Sequence, residues 1–269
     1  MRILRCKTVI AVGLLLCALP VFAWEYESQE KRTGTVAELR VGADFTKKWR
    51  NGLRLGLEED LRFDLYNSMY GPAFRRSYTT LTFAYAPVEY VKLDAGYSLK
   101  IMGADSTWTD TKRKDVNEWL RHRVFFSVTG AYKVDFVKLY IRERAMCEMR
   151  TDSVNPLEKS KYKWSLRSKI GADFQVPGKP VKPYLWFELI NTLNAPEYQQ
   201  KDGKQFISAI RTQAGVKWRV SKLSTLNFFY RFSYAYDRDI NITKKKGYIE
   251  LVEETLFHHA IGITYNLDW

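Results

Sequence analysis

Cysteine, histidine and long apolar runs are all scarce in this 269-residue chain. It contains three cysteines and three histidines. Cys6 and Cys17 lie in an N-terminal segment that we expect to be removed, which leaves Cys147 without a partner for an intramolecular disulfide. No histidine or cysteine spacing matches a metal site, and no glycine-rich phosphate loop follows a predicted strand. We therefore predict no cofactor and no metal, and assign no catalytic residues.

The one long apolar run lies at the N-terminus, from Val9 to Phe22, behind the cations Arg2, Arg5 and Lys7. It is too short to cross a bilayer as a helix, which needs about 20 residues. A positive start, a short apolar run and small residues before position 24 are typical of a secretory signal peptide. We predict that residues 1–23 are a signal peptide for Sec-type export and that residues 24–269 form one domain.

Negative charge is also in deficit. The chain has 43 Lys and Arg against 30 Asp and Glu, a formal net charge of +13, which becomes about +10 without the signal segment. The cations are scattered along the strands and do not form one stripe, so nucleic acid is not a predicted partner. Lysine-rich loops could face solvent alone or meet anionic lipopolysaccharide. We expect outer-membrane lipid and lipopolysaccharide as partners, and the oligomeric state is not indicated.

Alternation with a period of two is what the chain has in abundance. After position 53, for example, Leu55, Leu57 and Leu61 fall on one face, whereas Arg54 and Asp60 fall on the other. Such a pattern indicates β-strands with one apolar and one polar face. Eleven segments show it: Ala37–Phe45, Leu53–Leu65, Tyr78–Ala86, Val91–Met102, Trp119–Tyr132, Asp135–Arg150, Tyr162–Gln175, Pro183–Asn194, Phe206–Arg219, Leu226–Tyr236 and Leu256–Trp269.

The connections between these segments are alternately short and long, which favours a membrane barrel over a soluble sandwich. Outer-membrane barrels have short turns at one end and long loops at the other. We predict an all-β fold: a single transmembrane antiparallel up-and-down β-barrel. Because bacterial barrels have even strand numbers, we expect a short extra strand at Trp24–Gly34 that turns at Thr33 and Gly34, giving twelve. Ten strands, or an N-terminus that rises through the lumen, are the alternatives.

The last strand ends in alternating apolar residues, Tyr265, Leu267 and Trp269. It resembles the C-terminal signature by which outer-membrane proteins are recognised for insertion, although that signature usually ends in Phe. We therefore expect the barrel-assembly machinery to be a partner during insertion. The predicted location is the outer membrane of a Gram-negative bacterium.

Charged residues recur on the face that the pattern turns toward the lumen. Buried charges are tolerated when they are paired, and the arginine fork can bridge two carboxylates. The predicted network comprises Glu58, Arg62, Arg121, Arg123, Arg142, Arg144, Glu148, Glu188, Arg211 and Arg231. It could be a structural ladder that joins the strands or the lining of a path for anions. Twelve strands fall between a filled barrel and an aqueous channel, so the pore is expected to be narrow or plugged.

The succession of strands resembles a family of Gram-negative outer-membrane β-barrels known only as a domain of unknown function. The matching positions are Arg121 and Arg123 at a strand start, Arg142, Arg144, Glu148 and Arg150 in the next strand, and Glu188 before Asn191. The resemblance extends over nearly the whole chain after residue 23. It implies the fold and the membrane location, and it implies no activity.

The function that these observations favour is a narrow porin-like channel for small polar or anionic solutes. The alternative is a non-conducting structural or surface-interaction barrel. A lipid-modifying enzyme is a third interpretation, since Ser233 and His258 fall on neighbouring strands at similar depth. A nucleophile–base pair also needs a group that orients the imidazole and a site for the oxyanion. The sequence supplies neither at a recognisable spacing.

Overall fold

A computed structural model describes residues 28–67, 73–102, 120–150, 162–195, 206–243 and 248–269. These residues form eleven strands that close into one barrel, which confirms the all-β barrel fold. The strands are β1 (Ser28–Lys48), β2 (Leu53–Asn67), β3 (Ala73–Val88), β4 (Val91–Met102), β5 (Leu120–Val134), β6 (Val137–Arg150), β7 (Tyr162–Phe174), β8 (Val181–Thr192), β9 (Phe206–Arg219), β10 (Ser224–Thr243) and β11 (Tyr248–Asp268). A search of the described residues found no helix of the length and apolarity needed to span a membrane.

The strand number among the described residues is eleven, where the sequence suggested twelve or ten. The expected turn at Thr33 and Gly34 does not form, because both residues lie inside the continuous 21-residue strand β1. They pair with Thr255 and Leu256 of β11. Consecutive strands pair antiparallel, whereas β1 and β11 run in the same direction and close the barrel by parallel pairing. The predicted signal peptide, residues 1–23, lies outside the described residues.

The register fixes the width of the barrel. When cross-strand partners are followed from Lys48 of β1 through every strand in turn, the path returns to β1 at Gly34. These two residues of β1 are 14 positions apart. Eleven strands with this displacement tilt by about 40° and enclose a backbone cylinder of about 11 Å radius. Long inward side chains can therefore approach one another across the lumen.

Burial is inverted relative to a soluble protein. Carboxylates are deeply buried, with Glu38 1% and Glu188 3% exposed, whereas Phe83 and Ile170 are each 59% exposed. Exposed apolar side chains recur on the outer face of every strand. A continuous apolar exterior around a polar interior is the pattern of a transmembrane β-barrel.

Aromatic residues cluster at the end of the barrel that carries the short turns, called here the turn end. Trp49, Tyr90, Tyr132, Trp218 and Trp269 all lie there with at least 45% of their surface exposed. Such a girdle is typical of the boundary between lipid and water. The opposite end, where the sequence has its long polar connections, is called the loop end.

Aromatic rings lie flat against the inner wall over glycines of neighbouring strands. A side chain at Gly171 would meet the ring of Tyr140 and the Cβ of Trp186, and one at Gly262 would meet the ring of Phe229. The absence of a Cβ thus creates the space in which each ring packs. The rings in turn support cations that extend into the lumen.

The ring over Gly262 yields a stability prediction. We expect Gly262→Ala to displace Phe229 and to lower the free energy of unfolding by about 1–3 kcal/mol, as overpacking does elsewhere. The measurement is the midpoint of urea unfolding in lipid vesicles. Gly130→Ala is the matched control, because its Cβ would make only an ordinary contact, at 3.7 Å from Ile141. In a Phe229→Ala background the cost of Gly262→Ala should disappear.

The parallel junction yields a second prediction. Leu39 of β1 and Ile261 of β11 are direct partners, so Leu39→Cys with Ile261→Cys should form an intramolecular disulfide in a Cys147→Ser background. Electrophoresis before and after reduction, with the barrel kept folded, measures it. Leu39→Cys with Tyr265→Cys is four residues out of register and should not crosslink. Crosslinking of the second pair and not the first would contradict this closure.

Candidate functional site

The inner face of the barrel is lined by two walls that differ in how their charge is compensated. On β1 to β3, Arg40 pairs with Glu38, and Arg62 lies 2.6 Å from a carboxylate oxygen of Asp60. Together with a cluster around Glu148 these residues form what we call the paired wall. Its members are Glu38, Arg40, Asp60, Arg62, Asp64, Arg75, Arg76, Lys100, Arg121, Arg123 and Glu148.

Glu148 collects cations from two neighbouring strands. Arg121 donates a hydrogen bond of 2.9 Å to one carboxylate oxygen, and Arg123 donates to the other. Lys100 of β4 lies 3.9 Å away. The register brings them together because Arg123 is the direct partner of Glu148 on β6, and Lys100 is the partner of Arg121. The Arg123 guanidinium also lies 4.9 Å from the ring centre of Tyr78.

An irregularity in β3 adds two arginines to the paired wall. The register between β2 and β3 shifts next to Arg62, so that Arg76 pairs with Arg62 and Arg75 is the extra residue. A bulge of this kind turns a side chain away from strict alternation. As a result both arginines point inward, and they lie 3.9 and 3.8 Å from Glu38. Arg75 also lies 3.1 Å from Asp64.

The opposite wall, on β6 to β10, is strongly cationic. At the middle of the barrel it has one carboxylate among the described residues, Glu188, whose side chain is 4% exposed. Arg142 lies 3.2 Å, Lys169 3.6 Å and Arg211 3.5 Å from its oxygens. We call this surface the cationic wall. Its cations are Arg142, Arg144, Arg167, Lys169, Arg211 and Arg231.

Like charges face each other directly across β6 and β7. Arg142 is the cross-strand partner of Lys169, and Arg144 is the partner of Arg167. Direct opposition of like charges destabilises a sheet. Glu188 lies between the first pair, but the second pair has no carboxylate in contact. Within the described residues the Arg167 side chain forms no hydrogen bond or ion pair, and its Nε is buried without an acceptor.

Neutral groups orient several of these cations. Arg144 donates to the Ser127 hydroxyl at 2.8 Å and lies 4.2 Å from the ring centre of Phe125. Arg231 donates to Gln213 at 2.7 Å. The ring of Trp186 carries Lys169 at 3.7 Å and Arg231 at 5.1 Å. A cation over an aromatic face is held in position while its charge remains, so the cationic wall carries more positive than negative charge at the middle of the barrel.

The structure places the ten sequence-predicted lumen residues on the inner face and gathers most of them around two carboxylates. Arg121 and Arg123 join Glu148, and Arg142 and Arg211 join Glu188. Arg62 instead contacts Asp60, and Arg144 and Arg231 contact neutral partners. Glu58 forms no ion pair within the described residues. The functional role of the set stays a prediction.

Sequence reasoning did not include several lumen residues in that set. Those that the site uses are Glu38, Arg40, Asp60, Asp64, Arg75, Arg76, Lys100, Arg167, Lys169 and Trp186. Alternation gives a signal for most of them, since Arg167 and Lys169 occupy the same face of β7 two residues apart. It gives no signal for the bulged pair Arg75 and Arg76, because only one of two consecutive residues can face inward in a regular strand.

The C-terminal residues that we assigned to the insertion signal lie at the turn end. Trp269 is 48% exposed, and its ring centre lies 6.5 Å from that of Phe45 on β1. Its backbone nitrogen donates to the carbonyl of Thr46 at 3.0 Å. The final strand is thus tied to the first at the turn end. Recognition of Tyr265, Leu267 and Trp269 by assembly machinery stays a prediction.

The Ser233–His258 pair lacks the contacts that a nucleophile–base pair needs. The two residues are direct cross-strand partners. The hydrogen-bond contact of His258 in the described part of the chain is to Arg75, at 3.5 Å between Nδ1 and Nη1. A cation in that position does not orient an imidazole as a base. No group of His, Cys, Asp and Glu able to hold a metal occurs in the described segments.

Two solved structures are similar to the chain in fold. The porin NanC aligns with 10% identity over 72% of this chain and 86% of its own, with a TM-score of 0.44. The outer-membrane protein OmpT of Vibrio cholerae aligns with 13% identity over 70% of this chain and 56% of its own, with a TM-score of 0.37. No curated protein matches the sequence significantly.

A family comparison matches most of the barrel. Residues 40–243 match the family described as protein of unknown function DUF2490. This range runs from Arg40 on β1 to the last residue of β10 and so includes the cationic wall and all of the paired wall except Glu38. The chain belongs to the DUF2490 family of proteins of unknown function.

Proposed function

We propose that this barrel is a narrow channel in the outer membrane of a Gram-negative bacterium and that it passes small anionic solutes by passive diffusion. The observation that carries the proposal is the direct opposition of Arg144 and Arg167, which no carboxylate of the described residues contacts. A purely structural lumen gains nothing from such a pair, because like charges in register lower stability. A path for anions gains a fixed positive charge at its middle.

Water access to the lumen supports the proposal. Glu58 points into the lumen, yet its surface is accessible to a water molecule there. Arg211, also inward, keeps 27% of its side chain exposed. A barrel of about 11 Å backbone radius leaves such gaps only where side chains do not meet. Such gaps give an anion a path through the lumen. The cations beside them can replace part of the water that surrounds it.

A closed structural barrel is the second candidate, and the paired wall favours it. Within that wall each carboxylate contacts at least one cation, as Glu38 does with Arg40 and Glu148 with Arg121. Contacts of this type join β1 to β3 and β4 to β6 across the lumen face. If the cationic wall were equally compensated, this candidate would be preferred.

We further propose how the protein reaches its place. Residues 1–23 would direct Sec-type export and be removed, and the barrel-assembly machinery would recognise the strand that ends in Tyr265, Leu267 and Trp269. The barrel would then contact outer-membrane lipid, with its lysine-rich loops near the anionic headgroups of lipopolysaccharide. The exposed apolar exterior supports the lipid contact.

Reversal potentials in a planar bilayer test the channel. Under a potassium chloride gradient we expect discrete currents with anion preference. Arg142→Gln with Arg231→Gln should lower the anion-to-cation permeability ratio by about two-fold or more, because two fixed positive charges leave the lumen. Arg32→Gln at the loop end, 45% exposed and paired with Glu30, is the control and should leave the ratio unchanged. The absence of current from a barrel shown to be folded would contradict the channel proposal.

Glu188→Gln should act in the opposite direction. Removal of the one carboxylate of the cationic wall should raise the anion preference and, because Arg142, Lys169 and Arg211 lose their counter-charge, lower the free energy of unfolding by about 2–4 kcal/mol. Asp173→Asn is the control: its side chain is 26% exposed and has one ion pair, to Lys217, so the loss should stay below about 1 kcal/mol. Unfolding in urea and reversal potentials measure the two effects. Equal losses for both variants would contradict the assignment.

A further inference from the structure

We infer that the cationic wall is a binding site for a small solute that carries two oxyanion groups, carboxylate or phosphate, so that the channel is saturable. The inference rests on the proposed function and deepens it by naming the solute class. A general anion filter requires only excess positive charge. A binding site requires donors that lack acceptors and are held at a fixed spacing.

The charge balance at this wall calls for a multivalent partner. Six cations surround one carboxylate, and Glu188 already contacts three of them. Arg144, Arg167 and Arg231 remain without a carboxylate in contact. A single chloride would compensate one of these three charges. A solute with two or more negative charges compensates more of the field in one binding event.

The first oxyanion position lies between Arg144 and Arg167. As direct cross-strand partners their Cβ atoms are about 4.5–5.5 Å apart, so both guanidinium groups can donate to one bound group. Arginine recognises carboxylate and phosphate through paired N–H donors. The buried Nε of Arg167 has no acceptor in the described part of the chain. One oxyanion there would separate the two like charges and relieve their repulsion.

The second oxyanion position lies one row toward the turn end. Lys169 follows Arg167 by two positions on β7, and Arg142 precedes Arg144 by two positions on β6. Two residues along a strand span about 7 Å. The Nε of Arg142 is also buried without an acceptor in the described residues. A solute with two oxyanion groups at about this separation would engage both rows, whereas a monoanion would engage one.

Trp186 lies beside this site and reports on it. Lys169 and Arg231 both contact its ring. A bound dianion would draw these cations toward itself and change the electrostatic environment of the indole. Fluorescence of Trp186 should therefore change on binding, and Trp186→Phe should remove that change.

The test is calorimetry of the detergent-purified barrel with succinate and pyrophosphate, and with acetate and chloride as monovalent references. We expect at least one dianion to bind about ten-fold or more tightly than either reference, since a second charge-assisted contact contributes about 1.4 kcal/mol or more. The tighter dianion then identifies a carboxylate or a phosphate solute. Arg167→Met should weaken that binding about ten-fold or more. Lys217→Met, which removes a lumen cation already paired with Asp173 at 3.2 Å, is the control and should leave it within about two-fold.

Arg167→Met should fold, because the side chain it removes has no hydrogen bond or ion pair in the described segments and faces a like charge. Unchanged or higher stability with lost binding separates a binding role from a structural one. Equal affinity for dianions and monoanions in the folded protein would overturn the site, even if the bilayer currents are anion-selective. Dianion binding without any conductance would support the site and overturn the channel.

Discussion

Backbone hydrogen bonding in lipid is the constraint on which the structure depends. No water is available in the bilayer core, so a sheet that crosses it must close on itself. Closure then turns every second residue inward, and the sequence must place its polar side chains on that face. The exposed Phe83 and the buried Glu38 are two consequences of this one requirement. The fold alone therefore accounts for a polar lumen, whether or not the lumen binds a solute.

The charges of the lumen cations are balanced in two different ways. Around Glu38 and Glu148 the cations are compensated, and the contacts join neighbouring strands. Around Glu188 the cations outnumber the carboxylate, and aromatic rings or neutral amides hold them in place. Glycines such as Gly262 make room for such rings, since Gly262 faces the ring of Phe229 that Arg231 contacts. On the proposed function, the paired wall contributes mainly to stability and the cationic wall mainly to the passage of solute.

Alternation in the sequence was sufficient for the barrel and for much of its interior. It placed Arg142 and Arg144 inward because regular strands obey a period of two. It could not place both Arg75 and Arg76 inward, since a bulge breaks that period for reasons of local hydrogen bonding. The predicted number of twelve strands was wrong, because it assumed an even number and a turn at Thr33 and Gly34. Both residues instead pair continuously with β11. Contacts such as Lys169 on Trp186 depend on register between strands, which no single strand encodes.

The parallel junction between β1 and β11 has a consequence for the order in which the barrel is assembled. Each antiparallel neighbour is reached through a connection of 2 to 17 residues, but β1 and β11 are joined only by the whole intervening chain. The contacts of this one junction must offset the entropic cost of closing so long a loop. Parallel pairing is also weaker per residue than antiparallel pairing. Its length compensates: both strands have 21 residues. A nascent barrel would stand open along this line as a curved sheet until its first strand meets its last.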